Sequence, residues 1–333
     1  MPQLRKDPVL GRWVIISTER AKRPKDFKVA PEEKQISPKE CPFCPGNESA
    51  TPPEIYAYRD NNSKPNEPGW TLRVIPNKFP ALRVEGDINR RGEGIYDRMN
   101  GIGAHEVIIE TPDHSVDLAD LEIHAFENVI YAYQQRIIDL EKDKRLRYVM
   151  IFKNFGAAAG ASLEHSHSQL IATPVIPKRV MEEMDGAKRY YEYRERCIFC
   201  DIVVQETKSR KRLISENNSF ILICPFAPRF PFETWIMPRT HVSNFEDSTK
   251  QQLRDLAAIL KDCLLRLKKA LTTPPYNYVI HTTPVTIKSI EFYHYHLEII
   301  PVLTHVAGFE WGTGFYINPT GPEESASYLK NII

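Results

Sequence analysis

Long hydrophobic runs are missing from this 333-residue chain, and no segment approaches the roughly 18 consecutive apolar residues that a membrane helix needs. The opening Met1-Pro2-Gln3-Leu4-Arg5-Lys6-Asp7 is not followed by an apolar run of signal-peptide kind. Charge of one sign is lacking too: 44 Lys and Arg stand against 43 Asp and Glu, a net charge of +1. That balance speaks against a dedicated nucleic-acid binder, which advertises an excess of basic residues. Cysteine is scarce, with six in all. Without a secretory leader those few thiols favour metal over disulfides. The expectation is a cytoplasmic protein with no membrane or nucleic-acid partner, long enough for two ordinary domains or one large one.

What is present is a layout that occurs twice. The first half runs Cys41-Pro42-Phe43-Cys44, then Pro112-Asp113-His114, then His165-x-His167. The second runs Cys197-Ile198-Phe199-Cys200, then Pro238-Arg239-Thr240-His241, then His294-x-His296. Two cysteines and two histidines per half is the ligand count of a closed tetrahedral zinc site. A single Cys-x-x-Cys would be weak evidence; two pairs leading to the same histidine pattern in the same order are strong. One histidine of the first half is left over. Cys224 and Cys263 lie outside the pairs and read as small buried hydrophobes.

The repeat extends to the elements between these residues. Arg73 to Pro80 is echoed by Ile223 to Pro231, and a β-rich segment follows each, around 105–110 and 232–237. Each half then enters a helix. The first carries Ile123, Phe126, Val129, Ile130, Tyr133, Ile137 and Leu140 at helical spacing, and the second runs from about Thr249 to Leu271. Strands at 148–152 and 276–280 and the His-x-His strand complete each unit. Strands gathered around one long helix predict an α+β fold with two similar domains, 1–177 and 178–333, joined by a charged helix over about 178–196. Segments 59–70 and 86–103 read as long loops.

Residues two apart on a strand share a face, so His165, His167 and Gln169 point together while Ser166 and Ser168 point away. A ligand at His165 would hold His167 just beyond it. A neutral imidazole with one nitrogen fixed as a donor is a competent nucleophile toward phosphorus. Gln169 can donate to a phosphoryl oxygen as charge develops there. Asn154 and the small residues from Gly156 through Gly160 to Ser162 offer close approach of backbone amides to phosphate. Arg20 and Arg23 offer planar forks for further oxygens, or are plain surface charges. A lone histidine is more often structural, and His105, His124, His281 and His305 are read that way. His294 is read as either a ligand or a neighbour of one.

Together these residues resemble the galactose-1-phosphate uridylyltransferase family within the histidine-triad superfamily. The resemblance rests on Arg20-Ala21-Lys22-Arg23-Pro24, Cys41-Pro42-Phe43-Cys44, Pro76-Asn77-Lys78-Phe79-Pro80, Pro112-Asp113-His114-Ser115, Asn154 to Ser162 and His165-x-His167-x-Gln169. It implies two tandem histidine-triad-like domains and a ping-pong nucleotidyl transfer with His167 as nucleophile, between UDP-hexose and hexose 1-phosphate. Gln169, Asn154, Gly160, Ser162 and the arginines would hold the phosphates, and Asn77 would meet the nucleoside. The likeness further implies one zinc at Cys41, Cys44, His114 and His165, a second at Cys197, Cys200, His241 and His296 with iron as the alternative metal there, and a homodimer.

Three departures from the family pattern point toward its ADP-glucose phosphorylase branch, which takes inorganic phosphate as acceptor. Ser166 and Ser168 stand where Pro and Gly are usual. Two cysteines replace part of a Glu and three-His metal set. The C-terminal stretch Gly308 to Pro319 differs from the usual hexose-phosphate grip. Two other classes stand beside the enzyme reading. A zinc-ribbon-like adaptor would join all four paired cysteines around one metal per chain and leave the His-x-His strands unexplained. A metallohydrolase would use both His165 and His167 on an open catalytic metal.

Overall fold

The structure is a computed structural model and describes residues 2–17, 37–59 and 63–332. Arg20 and Arg23 lie outside the described residues. Fifteen strands and six α-helices are described. β1 (Gln3–Lys6), β2 (Trp13–Ile16) and β15 (Tyr316–Asn318) form a small sheet that ties the two ends of the chain together.

The main sheet has ten strands. From the first half come β3 (Tyr56–Arg59), β4 (Trp70–Pro76), β7 (Ala104–Ile109), β8 (Tyr148–Phe155) and β9 (His167–Thr173). From the second come β10 (Leu213–Glu216), β11 (Phe220–Ile223), β12 (Thr234–Pro238), β13 (Tyr276–His281) and β14 (His296–Pro301). Their order is β3-β4-β7-β9-β8-β13-β14-β12-β11-β10, so each half contributes five strands and the second repeats the first in mirror sequence about the β8–β13 seam. That seam pairs antiparallel, with Phe152 opposite Val279 and Asn154 opposite Asn277. The halves expected as similar domains are joined as one sheet with a shared core.

One face of the sheet is covered by α1 (Ile123–Leu140) and α4 (Lys250–Leu271), whose apolar stripes meet in a cluster with Val149, Ile151, Leu170, Ile280 and Leu297. Ten residues of α4 are buried, and each large aliphatic side chain among them is worth about 1.5–3 kcal/mol of apolar transfer. α4 starts where its sequence says it should: Thr249 and Gln252 form a capping box. Cys224 and Cys263 lie in this core, as expected.

The opposite face carries the connecting helix α2 (Lys178–Arg194), α3 (Ile198–Ser209) and the Cys-x-x-Cys segments. α5 (Gly308–Thr313) and α6 (Pro322–Asn331) close the chain. The segment read as a loop over 86–103 contains a short hairpin, β5 (Arg91–Glu93) with β6 (Tyr96–Arg98). All six of its strand residues are exposed, so no apolar alternation marked it in the sequence. Among the described residues no helix is long and apolar enough to cross a membrane.

Candidate active site and metal centres

β9 presents His167 and Gln169 to the helix-poor face of the first half. β7 lies antiparallel beside it, with Ile109 opposite His167 and Val107 opposite Gln169. Phe43, Trp70, Ile75, Val107 and Ile109 form an apolar floor there, together with Cys41 and Cys44. The tip of the Cys-x-x-Cys turn therefore packs on the same strands that carry the histidines.

Four donors converge at this point: one ligand atom each from Cys41, Cys44, His114 and His165, all within 4.8 Å of one another. Cys41 Sγ is 3.6 Å and Cys44 Sγ 3.5 Å from His165 Nδ1, and Cys44 Sγ is 3.4 Å from His114 Nδ1. His165 Nε2 donates to the Thr111 carbonyl at 2.7 Å, which leaves Nδ1 as the lone-pair nitrogen facing the thiols. Burial and the neighbouring Cys41 push the Cys44 thiol up to about 12, so two thiolates here call for a cation between them. The donor set fits tetrahedral zinc.

His167 sits one pleat beyond. Its Nδ1 donates to the His165 carbonyl at 2.8 Å, which fixes the proton on that nitrogen and leaves Nε2 with its lone pair. Phe43 packs edge-on against the ring, with centroids 5.3 Å apart. Burial, helped by the nearby Lys153 charge, lowers the His167 pKa to about 4, so the ring is neutral near pH 7. A neutral, oriented imidazole is what attack on phosphorus requires.

The other predicted residues fall around it. Gln169 Oε1 lies 2.8 Å from His105 Nε2, and the Asn77 amide nitrogen is 3.1 Å from that same ring atom. Asn277 Nδ2 donates to Asn154 Oδ1 at 2.8 Å and to the Ala159 carbonyl at 2.8 Å. A residue of the second half thus orients both Asn154 and the small-residue loop. Gly160 closes that loop at φ +88°, where a side chain would be strained, and its Cα side faces Asn154 Nδ2. Ser162 is exposed between this loop and His165.

The opposite face of β9 was not foreseen as part of the site. Ser166 donates to Glu110 Oε2 at 2.6 Å, and Ser168 meets the Tyr133 hydroxyl at 2.6 Å. Lys153 Nζ reaches Glu110 Oε2 at 2.6 Å, Ser166 Oγ at 3.2 Å and the His167 carbonyl at 2.9 Å. The two serines that depart from the family motif are the outlets of a buried polar network behind the nucleophile.

The second half corrects one assignment. Cys197, Cys200 and His241 gather with His294, and not with His296. Cys200 Sγ is 3.4 Å from His241 Nδ1 and 3.6 Å from His294 Nδ1. The reason is register. In both halves the first histidine of His-x-His turns to the thiols and the second lies one pleat on. Aligning the repeats histidine by histidine would have shown it.

His296 is the counterpart of His167: its Nδ1 bonds the His294 carbonyl at 3.2 Å, and Phe199 stacks on it at 5.0 Å as Phe43 packs on His167. Its Nε2, however, faces Glu183 Oε1 of α2 at 3.3 Å. Glu183, His281 and His296 form a third, fully buried group that could hold a metal. Burial alone would lower the His281 pKa, but the Glu183 and Glu298 carboxylates hold it up to about 10. His281, read from sequence as an ordinary structural histidine, thus lies 3.0 Å from Glu183 and 3.5 Å from Glu298, in the region that mirrors the surroundings of His167.

A neutral imidazole oriented through Nδ1, on the strand that also carries Gln169 and beside a two-cysteine, two-histidine donor set, defines an α+β protein whose site has the means to attack phosphorus. The galactose-1-phosphate uridyl transferase, N-terminal domain family matches residues 1–177, and a domain family of unknown function matches 102–331. ADP-glucose phosphorylase of Arabidopsis thaliana is 42% identical over 99% of this chain and 93% of its own length. Galactose-1-phosphate uridylyltransferase of Thermotoga maritima is 30% identical over 99% and 98%. Among solved structures, the Arabidopsis ADP-glucose phosphorylase with bound ADP-glucose superposes with a TM-score of 0.86 at 39% identity, covering 100% of this chain and 99% of that one. The chain belongs to the galactose-1-phosphate uridylyltransferase family.

Proposed function

We propose that the protein is a nucleotidyltransferase that works through a covalent nucleotidyl-His167. His167 Nε2 attacks the α-phosphorus of a nucleotide sugar; the N–P bond forms, the bond to the bridging oxygen breaks, and sugar 1-phosphate leaves. A phosphate oxygen of the acceptor then attacks the same phosphorus and breaks the N–P bond. The carrying observation is the His167 Nδ1 bond to the His165 carbonyl, which leaves Nε2 as the free nucleophile. Gln169 and Asn154 hold the phosphoryl oxygens, with Gly160 and Ser162 bounding the loop beside them. Asn77 would meet the nucleoside, and Arg20 and Arg23, which lie outside the described residues, are further candidates for the phosphate oxygens.

The UDP-hexose to hexose 1-phosphate exchange has the support of relatives such as the Thermotoga enzyme at 30% identity. A second reading, phosphorolysis of ADP-glucose by inorganic phosphate, is favoured by the 42% identity to ADP-glucose phosphorylase and by Ser166 and Ser168. Two structural zinc ions per chain accompany either reading, at Cys41/Cys44/His114/His165 and at Cys197/Cys200/His241/His294; two thiolates in the second set favour zinc over iron. A homodimer is part of the same reading, with the exposed Phe309 and Trp311 on the segment that would meet a neighbouring copy.

The test is intact-protein mass spectrometry after brief incubation with UDP-glucose or ADP-glucose, with His167→Ala as control. A uridylyl adduct on the unmodified protein alone supports the exchange, and an adenylyl adduct alone supports phosphorolysis. An adduct that persists in His167→Ala sinks the mechanism.

A further inference from the structure

We propose that His105 is a positioning residue that fixes the side-chain amide of Gln169 with its N–H groups toward the reacting phosphorus. The inference rests on the nucleotidyl-transfer reading above and extends it to a residue of the neighbouring strand.

The argument follows one proton. The Ala81 backbone N–H, which can only donate, points at His105 Nδ1 at 3.1 Å. Nδ1 is therefore the acceptor nitrogen, and in a neutral ring the single proton sits on Nε2. Nε2 then must donate, and its closest partner is Gln169 at 2.8 Å. Only the carbonyl oxygen of that amide can accept, so the NH2 end of Gln169 turns the other way. Asn77 is a neighbour of Nε2 and not its acceptor: the Asn77 atom that faces it, at 3.1 Å, is the amide nitrogen, which cannot accept, and Asn77 Oδ1 already takes the Phe79 N–H at 2.9 Å.

The strand register makes the contact a stable one. Val107 stands opposite Gln169, and His105 lies two residues along β7, so both side chains share the face that carries His167. His105 is further held at its backbone, where its carbonyl accepts the Asn77 N–H at 2.8 Å. A freely rotating amide would offer oxygen or nitrogen to the phosphoryl group with similar ease. Oxygen presented to a developing negative charge repels it, whereas N–H stabilises it. Gln169 needs an external device to choose its end, and His105 supplies it.

The experiment uses the full-length protein and the nucleotide sugar that yields an adduct on His167. Single-turnover adduct formation is followed by quench and mass spectrometry in His105→Phe, His105→Gln, Gln169→Met and the double variant His105→Phe/Gln169→Met. Phenylalanine keeps the ring and removes the donor; glutamine places an amide N–H where Nε2 stood. His105→Phe should slow adduct formation by about 10- to 100-fold, part of the 10²–10³ that removal of a whole transition-state donor costs, with donor KM changed by less than about threefold.

His105→Gln should recover most of the rate, and the double variant should be no slower than Gln169→Met. Wild-type rates in His105→Phe, equal losses in both His105 variants, or multiplicative losses in the double variant would each overturn the proposal. Crystal structures separate this from the functional reading. If wild type forms no adduct, that reading falls. A Gln169 rotamer and contact set unaltered in His105→Phe overturns the positioning role whatever the chemistry.

Discussion

Removing the Lys153 ammonium should cost the protein several degrees of thermal stability, and removing its partner as well should return part of that loss. Lys153 and Glu110 are an ion pair with side chains 1% and 0% exposed. All three ammonium hydrogens have acceptors: Glu110 Oε2, Ser166 Oγ and the His167 carbonyl. Lys153→Met keeps the volume of the stem but strands a carboxylate in the core. Breaking a buried pair from one side costs about 3–5 kcal/mol, because the remaining charge is neither solvated nor compensated. At about 2 °C per kcal/mol for a chain of this size, the melting temperature should fall by about 6–10 °C. In Lys153→Met/Glu110→Gln no charge remains, and a neutral amide can still accept from Ser166, so about half the loss should return. Differential scanning fluorimetry measures both. A single variant within 2 °C of wild type, or a double variant less stable than the single, would refute the reasoning (2 °C being about 1 kcal/mol).

Cys41→Ser should release one metal ion per chain and lower the melting temperature, since structural zinc contributes about 10–16 kcal/mol of apparent binding energy; plasma emission spectrometry with fluorimetry checks both at once. His294→Ala should lose the second ion while His296→Ala keeps it, and the opposite result by the same spectrometry would restore the sequence-based ligand set. Gly186→Ala should destabilise by about 1–3 kcal/mol, because a Cβ there would overlap the Val9 carbonyl against α2; urea unfolding reads the change.

Periodicity made the long helices and most of the sheet legible. The stripe from Ile123 to Leu140 and the run ending at Leu271 became α1 and α4. The period-two reading of His167 and Gln169 agrees with their places on β9, opposite Ile109 and Val107 of one strand face. What stayed hidden depended on contacts between distant segments. Nothing in Tyr148–Phe155 or Tyr276–His281 says that these two strands pair with each other, yet that seam lets Asn277 orient Asn154. Lys153 and Glu110 are buried charges, which a hydropathy pattern codes as surface. His105 looked ordinary because its meaning lies in the diagonal across β7 and β9. The choice between His294 and His296 was available from the repeat itself, since the first half shows which histidine of the pair faces the thiols.

The β8–β13 seam joins two related halves on one polypeptide, and that has a consequence for how they can change. Two identical subunits sharing such a sheet would receive every substitution twice, so a lost nucleophile would be lost everywhere. Written in tandem, each copy is free to vary alone. His167 is fixed through Nδ1 alone among the described residues, while its twin His296 meets Glu183 from α2, the helix that links the copies. In the second half a carboxylate stands against the histidine that mirrors His167, a difference between the copies that two identical chains could not hold.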